Sequence, residues 1–500
     1  MRPPHALSVA DLDSPGGPVL SLRPAPGGAP PGPGDVYALV RLRGRPAATV
    51  LGHVPEGADP GKTLAALART RLDEAHLEEA RREEARRDEA RLEDPRLDET
   101  RLDHARLEDA RLDETRLDHA RLEDPRLDET RLDHARLDHA RLDHARLDHA
   151  RLDHARLDHA RLEDAHLDEA RLVPPRASVV VATRERADQL ARALDSLLDQ
   201  DHPDYEIVVV DNSPVTRATE ELVRGAYGDR VRYVREDTPG LAVAHNTGLA
   251  QTRTDVVAFT DDDVVADPHW LTALTAPFAA DPRLGCVTGL ILPARLRTPA
   301  QILLESHGGF AKGFAPRLYD PVRPPADEPL FPFTAGSFGS GANMAFRTRA
   351  LEAAGGFDPA TGTGTTARGG DDLYAFVAVL SAGFRLRYTA DALVWHHHRE
   401  SWQDVRNQAF GYGAGLTAYL TATLVRRPAL LPALLARLPR GLAHARNMTA
   451  SRHAESGGVP GEHGTHTHPW PRSLSRLERR GMLYGPLGYA KARLRMRGTR

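Results

Sequence analysis

Val256-Val257-Ala258-Phe259-Thr260-Asp261-Asp262-Asp263 decides the fold: an apolar run rich in strand-favouring residues that ends in three consecutive carboxylates. Such a run carries the backbone through a core. The acids then stand where the strand leaves it, which is where open α/β sheets bind their ligands. Three adjacent carboxylates repel one another unless a cation sits among them, and hard divalent ions take oxygen ligands. The competing reading is a solvated acidic turn ahead of a helix starting near Pro268, where the helix dipole favours Asp. The flanking segments decide between the two.

Working outward, strands and helices alternate, the pattern of an α/β domain. Ser178 to Ala182 reads as a strand and Ala187 to Leu198 as a helix with apolar residues at Leu190, Leu194, Leu197 and Leu198. Tyr205 to Val210 is a second strand, ending in Asp211-Asn212-Ser213. Thr219 to Tyr227 is a helix, Val231 to Val234 a short strand and Leu241 to Thr252 another helix. Two strands that end in polar residues at one sheet edge make a crevice. Further on, Gly339-Ser340-Gly341 turns into a strand, Asp371-Asp372-Leu373 opens a helix, and His396-His397-His398 follows the strand Ala392 to Trp395.

The chain has 500 residues, too many for one ordinary core. Its 70 acids and 66 Lys plus Arg leave a formal charge of -4, so no overall field argues for a nucleic-acid partner. A single cysteine, Cys286, cannot form an internal disulfide, which fits a reducing, cytoplasmic setting. The Pro/Gly-rich start has no apolar core like that of a secretory signal, and no apolar run reaches the about 18 residues of a spanning helix. The expected organisation is therefore 1–34 disordered, 35–70 a small β-hairpin plus helix, 71–172 a repeat, 173–415 the α/β domain and 416–500 a helical, partly basic extension. Residues 416–438 are apolar but interrupted by Arg426-Arg427-Pro428, so they either close over the core or lie on a membrane surface. The basic end, Lys491 to Arg500, leaves a peripheral contact with anionic lipid open.

Residues 71–172 repeat every five positions, most regularly as Arg-Leu-Asp-His-Ala from Arg131 to Ala160. On an α-helix a five-residue step advances about 140° past one turn, so Leu spirals round the rod and forms no stripe. A helix solvated on all sides is the first reading. A square β-solenoid is the second, and a charged disordered spacer the third. The spacing Ala-x-Leu, as at Ala105 and Leu107 or Ala135 and Leu137, is similar to that of pentapeptide-repeat proteins, whose small and large apolar residues both point inward. The recurring His134, His139 and His144 do not stack on one helical face, so a solvated surface is expected there rather than a metal array.

The segment from about Ser178 to Gly413 resembles glycosyltransferase family 2, with the GT-A nucleotide-diphospho-sugar transferase fold. Val179 to Arg186 is similar to that family's first strand, which implies that Thr183, Arg184 and Arg186 contact the nucleotide. Val208 to Ser213 resembles the second, implying that Asp211 holds the base or ribose. Pro239 to Leu249 resembles the helix backing the site, with Asn246 on the donor side and His245 where Arg is common. Asp261-Asp262-Asp263 matches the Asp-x-Asp motif. That match implies Asp261 and Asp263 on a Mn2+ or Mg2+ ion, with Asp261 and Asp262 also beside the nucleotide sugar. Asp371-Asp372 matches the family's Glu-Asp motif. Direct displacement needs a carboxylate to take the acceptor hydroxyl's proton, and Asp372 receives that role with Asp371 as the fallback. His396-His397-His398 are expected to supply a further metal ligand, taken as His397, or to line the acceptor pocket.

The function so implied is inverting, metal-dependent transfer of one sugar per encounter from a nucleotide-diphosphate sugar, expected to be a UDP-sugar, to an unidentified hydroxyl acceptor. Cell-surface or secondary-metabolite glycans are the expected products. The alternative is a repeat-based interaction scaffold carrying a degenerate, non-catalytic transferase domain; the departures at Arg184 and Glu185 leave it open.

Overall fold

The computed structural model describes residues 6–14, 17–72, 173–307, 310–325, 327–437 and 470–498. The chain divides into two units, 73–168 and the remainder. The first of these, and with it all three readings of the repeat, lies outside the described residues.

The larger unit is built on a mixed sheet. Its strands are β5 (Ala177–Thr183), β6 (Tyr205–Asn212), β7 (Val231–Glu236), β8 (Val256–Asp261), β9 (Val264–Ala266), β10 (Leu284–Pro293), β11 (Arg317–Tyr319), β12 (Asn343–Arg347) and β13 (Arg385–His396). Their order is β11-β13-β10-β12-β8-β5-β6-β7, with β9 paired to β13. The stretch β7-β6-β5-β8 is parallel, and β12 is antiparallel to both its neighbours, β8 and β10. Parallel strands must be covered on both faces, and successive side chains alternate between them. Val179 and Val181 accordingly join one core and Val180 and Ala182 the other. Helices α2 (Ala187–Leu197) and α5 (Trp270–Ala280) cover the first face. On the second lie α4 (Leu241–Gln251) and α8 (Asp371–Ser381), with α9 (Trp402–Arg426) and α10 (Arg472–Gly498) outside them. Two short helices, α3 (Ala218–Leu222) and α7 (Thr348–Ala353), follow β6 and β12.

Among the described residues of 1–34, expected to be disordered, two strands are present. β1 (Ala6–Leu12) and β2 (Val19–Pro24) join β3 (Gly34–Leu42) and β4 (Arg45–Val54) in a sheet ordered β2-β1-β3-β4. The reason is a second core. Leu7, Val9, Tyr37 and Leu39 pack on Leu290, Leu292, Leu393 and Trp395 of the large sheet, while Val36, Ala38 and Val40 pack on Leu64, Ala68 and Leu72 of helix α1 (60–72). Arg41 ion-pairs with Asp267, both buried, and Arg45 grips both oxygens of Asp391. The small sheet thus docks on the large sheet beside β13.

The boundary expected at 415 falls inside α9, which runs unbroken to Arg426. Ala418, Tyr419 and Ala422 are buried and the Tyr419 hydroxyl donates to the Phe333 carbonyl, so this stretch closes over the core. Helix α10 crosses α9 through glycines. A Cβ on Gly413 would sit 1.9 Å from the Glu478 carbonyl oxygen, and one on Gly481 2.2 Å from that of Phe410. No helix among the described residues is long and apolar enough to cross a membrane.

Candidate functional site

Strand register brings the acids to one edge. Thr183 lies opposite Asp211 and Ala182 opposite Asp261, so β5, β6 and β8 deliver their polar ends together. Asp211 is fully buried. Its Oδ2 accepts from the Tyr233 hydroxyl at 2.9 Å, whereas Oδ1 is buried with no hydrogen-bond partner. Burial pushes the Asp211 carboxyl above its usual range, and burial with Asp211 as acceptor raises Tyr233 to about 12.

Asp262 is held within the protein. Its Oδ2 accepts from Thr183 Oγ1 at 2.6 Å and its Oδ1 from Arg186 Nη1 at 3.0 Å. Thr183, Arg186 and Asp262, all assigned to the nucleotide sugar above, thus engage one another and pin the end of β8 to the start of α2. Arg184 is exposed. Glu185 next to it adopts φ 55° and accepts from the amides of Val215 and Thr216 at 2.8 and 3.0 Å, tying down the loop after β6.

Asn246 is also occupied. Its side chain donates to the Phe357 carbonyl at 2.9 Å and accepts from the Phe357 amide at 3.0 Å. It clamps the 355–358 turn, so its expected place on the donor is not what its hydrogen bonds serve. His245 is 1 % exposed, lies between the Phe259 and Phe357 rings, and has Nδ1 3.3 Å from Asp371 Oδ2.

Asp371 and Asp372 start α8, behind Gly370 in the left-handed region (φ 86°). A side chain on Gly370 would strike the Gly415 carbonyl of α9 at 2.5 Å, so the turn that aims both acids demands glycine. Asp372 Oδ2 accepts from the Gly341 amide at 2.8 Å, and its Oδ1 from the Leu373 amide at 2.8 Å. The adjacent Ala342 carbonyl accepts from Thr260 Oγ1, also at 2.8 Å, which links this acid to the β8 end through one turn. Burial and the charge of Asp371 raise Asp372 to about 6. Lys312, lowered to about 8 by burial, is near enough to feel the Asp372 charge.

Asp261, Asp263 and His396 offer three ligand atoms within 4.8 Å of one another. Burial and the Asp263 charge push Asp261 up to about 7. Burial acts the same way on Asp263 but is outweighed by His396, Arg399 and Arg186, which hold it well below the carboxylate range. Asp263 Oδ1 is buried without a hydrogen bond and lies 3.3 Å from His396 Nε2. Two carboxylates and one imidazole around an unsatisfied oxygen suit a divalent cation.

His397 is not in this group. Side chains alternate along an extended chain, and His397 lies instead near Arg295 and Arg192, burial and their charges lowering it to about 4. His396, its neighbour in the same triplet, takes the place. The i, i+2 spacing of His396 and His398 was the available signal, and their Nδ1 atoms are 3.0 Å apart.

A mixed α/β sheet with acids clustered at its strand ends is an architecture found in GT-A-like glycosyltransferases, and sequence comparison agrees. Residues 178–353 match the Glycosyl transferase family 2 model, and residues 88–124 and 126–164 match Pentapeptide repeats in eight copies. The pentapeptide resemblance behind the second reading of the repeat is therefore the one recovered. The chain is 30% identical over 242 residues to the pre-mycofactocin glycosyltransferase of Mycobacterium tuberculosis, covering 47% of this chain and 46% of that protein. It is 36% identical over 125 residues to the validoxylamine A glucosyltransferase of Streptomyces hygroscopicus, covering 23% and 29%. It thus spans less than half the length of either relative. Mannosyltransferase PcManGT from Pyrobaculum calidifontis, solved with GDP-Man and Mn2+, aligns with TM-score 0.38 and 19% identity over 65% of this chain and 89% of its own.

Proposed function

We propose that this protein transfers a glycosyl group from a UDP-sugar to an acceptor hydroxyl with inversion, Asp372 taking the acceptor's proton. The observation that carries the reading is the shared turn at 341–342. Through it the raised, half-buried carboxylate of Asp372 is linked to the β8 end that carries the Asp261–Asp263–His396 cluster. A general base works best with a pKa near the working pH, and a value of about 6 leaves Asp372 ionised yet basic at neutral pH. Asp211 offers its unpaired Oδ1 to an N–H or O–H of the nucleoside. Asp261, Asp263 and His396 are the residues that would hold Mn2+ or Mg2+. Bound there, the cation neutralises charge building on a departing diphosphate. Thr183, Arg186 and Asp262 keep those ligands in place.

We also propose a cytoplasmic setting, with products in cell-surface or secondary-metabolite glycans, and a peripheral membrane contact through α10. Arg476, Arg480, Leu483, Leu487, Lys491 and Leu494 are all exposed and follow one another at steps of three or four, a single basic and apolar stripe. The inner face of α10 meets the turn before Asp371, with Thr366 Oγ1 donating to the Gly488 carbonyl.

The test is turnover of UDP-sugars, screened with Mn2+ or Mg2+, in wild type, Asp263→Ala and Asp372→Ala. Loss of turnover in both folded variants is expected. Near-normal turnover in both refutes the mechanism.

A further inference from the structure

Behind His396 a line of buried polar groups leads away from the candidate metal site. His396 Nδ1 is 3.0 Å from His398 Nδ1, His398 Nε2 is 2.9 Å from Glu305 Oε2, and the Tyr37 hydroxyl donates to Glu305 Oε1 at 3.4 Å. The His398 side chain is 0% exposed and that of Glu305 7%. Phe310 stacks on both imidazoles, and Gln301 Nε2 fixes the His398 carbonyl at 3.2 Å. Glu305 lies on α6 (Pro299–His307) and Tyr37 on β3, so the relay starts in the transferase domain and ends in the small N-terminal sheet.

The hydrogen-bond inventory places two protons. A carboxylate only accepts, so His398 Nε2 carries the proton it gives to Glu305. Neutral His398 then has a bare Nδ1, which must accept from an N–H on His396 Nδ1. With that proton placed, Nε2 is the atom of His396 left to face Asp263 Oδ1, at 3.3 Å. That nitrogen either carries a second proton and donates to Asp263 or gives its lone pair to a cation lying between the two.

We infer that Glu305 and His398 are positioning residues that fix the tautomer of His396, presenting Nε2 as the third metal ligand, and that Tyr37 of the N-terminal sheet closes this chain. The inference rests on the metal reading above. It also gives the docked sheet, which lies outside residues 178–353, a task at the site.

Glu305→Gln tests it. With Tyr37 donating to its carbonyl oxygen, the Gln amide turns its NH2 to His398 Nε2, which reverses both tautomers and puts a proton on His396 Nε2. Mn2+ titration followed by electron paramagnetic resonance of the free ion should show affinity weakened about 10- to 100-fold, with Glu305→Asp recovering part of it. The unfolding temperature without metal should change little, while the shift induced by Mn2+ shrinks. In wild type, long-range 1H–15N correlation of labelled histidines, assigned with His398→Gln, should show His398 protonated on Nε2 and bare on Nδ1. Wild-type Mn2+ affinity in folded Glu305→Gln, or a His398 proton on Nδ1, overturns the relay while leaving the metal site standing. Wild type that binds no Mn2+ overturns both. Should Glu305→Gln fail to fold, the wild-type tautomer alone decides.

Discussion

Replacing Asp372 with Asn should make the protein more stable at alkaline pH while removing its activity. The folded carboxyl sits at about 6 against an ordinary 3.8, chiefly through burial and then the Asp371 charge. Because the folded value is the higher, the charged form opposes folding. The cost is absent below pH 3.8, grows as the unfolded chain ionises first, and is complete above about 6. A difference of roughly two units corresponds to about 3 kcal/mol. Asn keeps one carbonyl acceptor for the Gly341 and Leu373 amides but not two, which costs about 1 kcal/mol. The variant should therefore be about 2 kcal/mol more stable at pH 8 and about 1 kcal/mol less stable near pH 3, combining those two estimates. Thermal unfolding of both proteins across this range reads the crossover directly. A difference that does not vary with pH refutes the argument that the buried charge is unfavourable.

The same change removes the base, so turnover should fall by about 10² to 10⁴-fold. Wild-type kcat/KM should decline as pH drops through about 6, where the carboxylate takes up its proton. A stabilising substitution that abolishes activity is the signature of a group held in an unfavourable state for chemistry. Turnover by the Asp372→Asn variant at more than about a tenth of the wild-type rate, well above the loss expected for a missing base, would show that the proton goes elsewhere.

Three further outcomes follow from the geometry. Asp211→Ala removes the unpaired buried oxygen and should raise the donor KM while leaving Mn2+ affinity unchanged, as measured by separate nucleotide and metal titrations. Gly481→Val places side-chain atoms against the Phe410 carbonyl, where even a Cβ comes within 2.2 Å, and should destabilise by at least about 2 kcal/mol, seen as a lowered unfolding temperature. Leu483→Ser with Leu487→Ser should weaken sedimentation with anionic vesicles without changing turnover on a soluble acceptor; unchanged sedimentation removes α10 as the contact.

The acids of the site were legible because each ends a strand or opens a helix, a position marked locally by the switch from apolar to polar residues. Val210 before Asp211 and Phe259 shortly before Asp261 carry that mark, and the Gly369-Gly370 turn announces the helix that Asp371 opens. The roles of Thr183, Arg186 and Asn246 were not legible, because their partners lie far along the chain: Asp262 is 76 to 79 residues from the first two, and Phe357 is 111 from Asn246. The choice of His397 over His396 failed for another reason. Ala392 and Val394 enter one core and Leu393 and Trp395 the other, so the apolar run shows no face and alternation alone cannot say which imidazole looks toward Asp263. The pairing of β13 with β9, His396 opposite Val264, supplies what the run lacks, since Val264 immediately follows the acid. The first strands were hidden by the Pro and Gly around them, whose local cost is visible in sequence, whereas the compensating contacts of Leu7 and Val9 with β10 and β13 are made with residues far along the chain. What sequence conveys here is where a polar group leaves the core; what it withholds is which distant group satisfies it.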